Sequence, residues 1–531
     1  MSLDLLMPPS VAIPSCARQS LGPRPPLRAK TGCLTCRDRR KKCDERQPIC
    51  SGCIRNLLAC RWRHGTTLKA PSTSSRVASQ NGHKRVLLSE AASTTLGSEF
   101  QLTPNRPMLL PQSLITAQSP GLKTATDHKL FAYFLDKVLP LMTRPYVQAE
   151  FQRHPYHLAV ALQQPIVMDV LLATAAMHHS AEGGDMQVQA LKYYSTATFM
   201  LRQKIAVGEI NGAEDWLALM VMALCLFERW NPSRHPKAGS HLLGACQILR
   251  LRHNYRQRRH DDYHDLKFDR CLAETVVYHL SVLPIFEGAH LTRYHSWWAE
   301  LMSLLTMKAF PDQPQWANSP LLGGRPSLFR IIGDVTRIRH AEQSKEYITL
   351  LTQQLSDQEY LIHHGALATW DDDRKLACYR ELRLFSTSAR ILLAKSIHRD
   401  LSATEASVQD LVCQGIEQLS SWPSTARFDQ YFCWPLLVMG CAVTSPEHLS
   451  IIRQKLAEIW RCSRCGDAWR VKAVLESVWT RPRGTLSEGD VGETLSCGSS
   501  SSAFDLLLSR EGVFQLLRTR PTEEESKAPS Q

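Results

Sequence analysis

Six cysteines between positions 33 and 60 constrain this chain more than any other feature of its sequence. Cys33, Cys36, Cys43, Cys50, Cys53 and Cys60 read C-x2-C-x6-C-x6-C-x2-C-x6-C, two copies of C-x2-C-x6-C joined by six residues. Thiolates two residues apart turn into one metal site, yet a tetrahedral Zn(II) takes four ligands and each half supplies three. Two zincs need eight ligand positions, and six thiolates fill them only when two bridge both metals. The pseudo-symmetry makes Cys33 and Cys50, the leading cysteine of each half, the natural bridging pair. One zinc then takes Cys33, Cys36, Cys43 and Cys50, and the other Cys50, Cys53, Cys60 and Cys33. A module this small buries too little apolar surface to fold alone, so metal binding supplies most of its folding free energy, on the order of 10 kcal/mol. Three alternatives stand beside this reading: free thiols scattered by chance, a disulfide framework, and His64 as a seventh ligand in another zinc fold. The first needs five spacings and a basic interval to coincide, the second sits poorly with the rest of the chain, and His64 otherwise reads as a solvated basic residue.

Charge gathers in the same place. Residues 28–64 hold eleven Lys or Arg against Asp38, Asp44 and Glu45, a balance of +8 out of +13 for the whole chain. Two Zn(II) on six thiolates lower this to about +6, still enough to attract a polyanion, and nucleic acid is the expected partner. Between Cys36 and Cys43 lies Arg37-Asp38-Arg39-Arg40-Lys41-Lys42, read as a short helical turn held by the metals with five cations projecting from it. Arg or Lys on such a turn donates to guanine O6 and N7 in the major groove, while neighbouring cations and backbone N–H groups hold phosphates. The second half carries the single cation Arg55 among Ser51, Gly52, Ile54, Asn56, Leu57 and Leu58, and is expected to support the cluster and touch phosphate. The bland alternative is a solvated charge run or a nuclear localisation signal, and both roles fit RDRRKK.

The rest of the chain divides by composition. Residues 1–27 are Pro-rich and aperiodic, a disordered leader, and they lack the basic start and unbroken apolar core of a signal peptide, so secretion is not expected. After the cluster domain at 28–64, residues 65–124 are rich in Ser, Thr, Gln and Asn with five prolines, a flexible linker. At Asp127 the pattern changes: Phe131, Phe134, Leu135 and Val138 share one helical face, and Pro140 helps to end the segment. Further helical segments are expected at 166–180, 191–205, 216–229, 239–250, 266–283, 376–397, 406–419, 432–443, 451–459 and 469–478. No alternating β-branched runs compete with them, so residues 125–485 read as an all-helical regulatory domain. Residues 486–531 form a Gly/Ser-rich loop and tail in which Ala503–Arg518 is either a last docked helix or an exposed activation peptide. The longest apolar run, Trp216 to Phe227, has 12 residues, short of a membrane span, and no membrane partner is expected. The fold class is thus mainly α: a small metal-nucleated module and a large all-α domain joined by a disordered linker.

Residues 32–62, GCLTCRDRRKKCDERQPICSGCIRNLLACRW, resemble the binuclear zinc cluster DNA-binding domain of fungal transcription regulators. The resemblance implies that Arg40, three residues before the third cysteine, stands where the family has its base-reading lysine, with Arg39 beside it and Lys42 the other regular basic position. A bidentate arginine suits guanine as well as lysine does. Family members typically bind CGG triplets, and Pro48 matches the proline of the family's inter-half loop. The segments at 171–181, 191–206, 240–252 and 432–448 are similar to the family's larger helical regulatory domain.

His178 and His179 are adjacent on a helix and point about 100° apart, poor geometry for one metal, and Cys462-x2-Cys465 lacks both a second pair and a thioredoxin-like context. No G-x-S-x-G, H-E-x-x-H or phosphate-binding Gly-rich loop is present, so an enzyme reading has no residues to stand on. The expected protein is a nuclear, zinc-dependent, sequence-specific DNA-binding regulator of RNA polymerase II genes, not an enzyme, with two Zn(II) per chain. Its metal ligands are Cys33, Cys36, Cys43, Cys50, Cys53 and Cys60, and its DNA contacts Arg37, Arg39, Arg40, Lys41 and Lys42. Candidate partners of the helical domain are a second copy of the chain, a coactivator or a small-molecule effector. One rival is a zinc scaffold that binds nucleic acid or chromatin without sequence readout. The other is a helical domain that is itself an enzyme or sensor.

Overall fold

The computed structural model describes residues 32–45, 119–145, 147–153, 155–180, 186–234, 236–259, 266–339, 343–367, 373–420, 429–480 and 502–518. Among the described residues every regular element is helical, which agrees with the mainly α class read from the sequence. By contacts the chain divides into two units, Met1–Phe100 and Gln101–Gln531. In the first, the described element is α1 (Leu34–Asp38).

The second unit opens with α2 (Ala125–Tyr133), whose start follows from its caps. The Thr124 hydroxyl accepts the Asp127 N–H at 3.1 Å, and the Asp127 carboxylate accepts the Thr124 N–H at 2.8 Å. Ahead of Pro140, which has no N–H to continue an α-helical ladder, the chain widens into a π turn at Phe134–Val138 and then tightens at Leu139–Leu141. Phe131, Phe134, Leu135 and Val138, the expected stripe, are all buried.

There follow α3 (Ala149–Arg153), α4 (Pro155–Gln163), α5 (Pro165–Ser180), α6 (Met186–Ala206), α7 (Asp215–Trp230) and α8 (Ala238–Arg259). Next come α9 (Leu266–Glu287), α10 (Trp298–Thr306), α11 (Pro326–Ile338), α12 (Lys345–Leu367) and α13 (Asp373–Ile397). The last are α14 (Ala406–Ser420), α15 (Cys433–Ala442), α16 (Pro446–Ser463) and α17 (Gly466–Trp479). The segments expected from periodicity lie on α5 to α9 and α13 to α17. No single helix among the described residues is long and apolar enough to cross a membrane.

α5 is apolar on almost every side because it packs against α2, α4, α6 and α7 together. α6 meets it through the small residues Ala190 and Ala197, which let the two backbones approach. α9, α13 and α15 carry the aromatic centre of the core. The Phe385 and Trp434 rings stack at 6.0 Å, Tyr278 meets Phe385 edge-on at 6.4 Å, and the Tyr278 hydroxyl donates to the Tyr431 carbonyl at 3.0 Å. Each such ring pair adds about 1 kcal/mol beyond area burial.

A buried ionic cluster locks α7 to α17. Asp467 accepts from Arg229 Nε and Arg470 Nη2, each at 2.5 Å. Arg470 also donates to the carbonyls of Glu228 at 3.3 Å and Arg229 at 3.2 Å, which the end of α7 leaves open, and to those of Asn231 at 2.6 Å and Ser233 at 3.0 Å just beyond it. A Cβ on Gly466 would lie 2.6 Å from the Asn231 carbonyl oxygen, so this approach requires glycine. Burial pushes the Asp467 carboxyl up, but the two guanidiniums more than offset it and hold the group below its ordinary value.

The segment 502–518 packs into this unit as two 3-10 turns, Ala503–Leu508 and Val513–Leu517, rather than as one helix. Phe504, Leu507, Val513 and Phe514 are buried, Phe514 stacks on Phe286 at 4.9 Å, and Lys395 pairs with Asp505 at 2.7 Å. The buried Arg339 donates to the Leu507 carbonyl at 2.7 Å, and the Ala289 N–H donates to the Arg510 carbonyl at 2.8 Å.

Candidate nucleic-acid interface

Local geometry at residues 32–45 begins with Cys33 as the cap of α1: its Sγ accepts the Cys36 N–H at 3.3 Å. α1 then lasts barely more than one turn. Arg39 closes it, Arg40 takes the left-handed conformation at φ 54°, the Arg40 N–H donates to the Arg37 carbonyl at 2.9 Å, and the Lys41 N–H donates to the Cys36 carbonyl at 3.0 Å. This pair of bonds is the Schellman closure of a helix C-terminus, made here with arginine where glycine is usual. A left-handed arginine costs on the order of 1 kcal/mol, and the reversal it produces returns the chain to the cysteines.

The result brings Cys33, Cys36 and Cys43 together, with their sulfur atoms all within 4.8 Å of one another. Four thiolates at about 2.3 Å around one zinc lie about 3.8 Å apart, and three sulfurs within 4.8 Å of one another are close enough for one metal to draw together. Cys33 and Cys36 are buried, and the Glu45 N–H donates to Cys43 Sγ at 3.4 Å, an amide-to-sulfur bond of the kind that supports metal-bound thiolates. A Cβ on Gly32 would stand 2.7 Å from Cys43 Cβ, so glycine at 32 permits the closure. Cys50, Cys53 and Cys60, with Pro48, Arg55 and His64, lie outside the described residues, as do the expected leader and nearly all of the expected linker.

The cations do not share one helical turn, as the sequence led us to expect. Arg37 stands on α1 and Arg39 at its cap, both half-buried, whereas Arg40, Lys41 and Lys42 are exposed on the non-helical return to Cys43. The reason is that the helix starts at Leu34, capped by Cys33, and must end early for the third sulfur to reach the first two. The left-handed arginine is the feature that the sequence did not disclose.

The other singled-out residues do not form sites. His178 Nδ1 pairs with the Tyr133 hydroxyl at 2.9 Å, and the His179 ring lies 5.0 Å from the Tyr133 ring, so both serve the contact of α5 with α2. Cys462 is exposed near the end of α16 while Cys465, past the left-handed Arg464, is buried as the cap of α17.

Comparison with known proteins now places the chain. Residues 129–498 match the model of the fungal specific transcription factor domain, and residues 31–69 match that of the fungal Zn(2)-Cys(6) binuclear cluster domain. The chain belongs to the fungal Zn(2)-Cys(6) family of transcription regulators. An uncharacterized transcriptional regulatory protein of Schizosaccharomyces pombe is 67% identical over 33 residues, 6% of each chain. Sterol uptake control protein 2 of Candida albicans is 28% identical over 116 residues, 18% of this chain and 16% of that protein. Transcriptional regulatory protein pro1 of Neurospora crassa is 53% identical over 36 residues, 7% of this chain and 5% of that protein. The matched stretches therefore cover only a small part of these relatives' own length. No solved structure matches the chain.

Proposed function

We propose that this protein is a nuclear, sequence-specific regulator of RNA polymerase II genes that reads CGG-type triplets in double-stranded DNA through a module holding two Zn(II). Cys33, Cys36, Cys43, Cys50, Cys53 and Cys60 would hold the two metals. Bound zinc supplies the cross-link that fixes the basic return in shape, and it takes no part in chemical turnover; the protein is not an enzyme. Arg40 and Lys42 read base edges, while Arg37, Arg39, Lys41 and the backbone N–H groups beside them hold phosphates. The observation that carries this reading is the gathering of three sulfurs at the root of a five-cation segment. The helical unit serves regulation, receiving an effector, a coactivator or a second copy of the chain.

The test is fluorescence anisotropy with the zinc-loaded full chain on duplexes that differ only in the CGG triplet, at several salt concentrations. Each altered base pair is expected to weaken binding about tenfold or more. Equal affinity for both duplexes, with the same steep salt dependence, would replace this reading with that of a scaffold binding nucleic acid non-specifically.

A further inference from the structure

A cavity of about 200 Å³ lies between the start of α8, the end of α9 and the docked segment 502–518. Lys237 and Arg518 line it together with Glu287 and Glu511, and it adjoins a wider cleft that shares the last three. Two cations and two carboxylates thus face one small volume, yet none of the four makes an ion pair among the described residues. The carboxylate of Glu287 is the deepest. Its Oε2 accepts the Gly239 N–H at 2.9 Å, and a Cβ on Gly239 would lie 2.9 Å from that oxygen, so glycine keeps the carboxylate seated there. Burial pushes the Glu287 carboxyl up to about 7, outweighing the Gly239 N–H and the Arg470 guanidinium, which pull it down. Phe286 and Phe514, stacked at 4.9 Å, give the cavity an apolar wall.

We propose that this cavity binds a free α-amino acid as a zwitterion, its ammonium between Glu287 and Glu511 and its carboxylate between Lys237 and Arg518. Opposed charges that line one space without meeting are bridged by a ligand carrying both signs, whereas a simple anion or cation would meet one repelling pair. The volume lies below the roughly 300–1,000 Å³ of pockets for drug-sized ligands, which limits the ligand to a metabolite of amino-acid size. Glu511 and Arg518 come from the docked segment, so an occupied cavity fastens that segment to α8 and α9. This site goes beyond the DNA-binding reading and stands or falls separately from it.

The experiment is isothermal titration of the zinc-loaded full chain with each free proteinogenic L-amino acid in turn, followed by the N-acetyl and amide derivatives of any that binds. Hydrogen exchange of residues 502–518 is read on the same samples. One amino acid is expected to bind while both of its blocked forms fail, and to slow exchange in the docked segment. Glu287→Gln, which keeps the shape and the bond to Gly239, and Arg518→Ala, at an exposed position, should each weaken binding at least about tenfold. Binding of the N-acetyl form as tight as that of the free amino acid, the absence of binding by every amino acid, or binding untouched by both variants would each overturn the proposal. DNA affinity measured in parallel keeps failure here distinct from failure of the DNA-binding reading.

Discussion

In residues 32–45 the buried side chains are Cys33, Cys36 and Thr35, whereas the unit from Gln101 onward buries Trp434, Tyr278, Phe286, Phe329 and many aliphatic neighbours. The first stretch has sulfur where the second has a hydrocarbon core. A core gives stability through area removed from water and tolerates the loss of one contact, whereas a cross-link made by bound zinc is lost with the metal. The difference also places function. The cluster spends its surface on exposed cations, and the helical unit turns several of its guanidiniums inward, as Arg229, Arg252, Arg270, Arg339 and Arg470 show.

The sharpest break in that comparison is metal removal. Chelation should abolish DNA binding and unfold the cluster, a loss of about 10 kcal/mol or more, while circular dichroism shows the helical unit melting at an unchanged temperature. Asp467→Ala acts on the other side. It strands Arg229 and Arg470 without their carboxylate and should cost about 3–5 kcal/mol in denaturant unfolding of the helical unit, with zinc uptake unaltered. Arg40→Ala should keep zinc and fold but lose about 1–3 kcal/mol of affinity for the preferred duplex. Arg40→Gly should lose the same affinity while gaining slightly in stability, since glycine accepts the left-handed turn.

A smaller effect sharpens the contrast through pH. His279 is buried, and its Nδ1 pairs with the Thr275 carbonyl while its Nε2 faces Arg229 Nη1 at 3.0 Å. The ring is therefore neutral, with Nδ1 donating and Nε2 accepting, and burial together with Arg229 lowers its pKa from 6.5 to about 3. A depressed folded pKa means that the unfolded chain binds the extra proton, so this stability is complete above 6.5 and is lost as pH falls toward the folded value. Unfolding free energy should drop by about 1 kcal/mol per pH unit in that window, and His279→Gln should flatten the slope.

What was legible in the sequence follows the strength of local rules. Spacing alone marked the six cysteines, because ligand geometry restricts sequence separation tightly, and apolar periodicity marked α5, α7, α9 and α15, whose long runs leave few alternatives. α11 is legible in retrospect, with Pro326 at its start and Leu328, Ile331, Ile332 and Val335 on one face, but polar and charged residues break up its apolar run. α6 points Val188, Phe199 and Ile205 outward at its exposed positions, so its apolar pattern does not report its core face. The docking of Phe504 and Phe514 depends on partners far along the chain, such as Phe286, that no local pattern encodes, while the left-handed Arg40 is set by nearby bonds but stands where residue preference points to glycine.

The most direct test of the central claim is selection from randomised duplex DNA with the zinc-loaded full chain beside its Arg40→Ala variant. The account predicts enrichment of CGG-type triplets by the parent and loss of that enrichment in the variant, with zinc content equal in both. Recovery of bound DNA without any enriched sequence would contradict it and would withdraw the base-reading roles of Arg40 and Lys42.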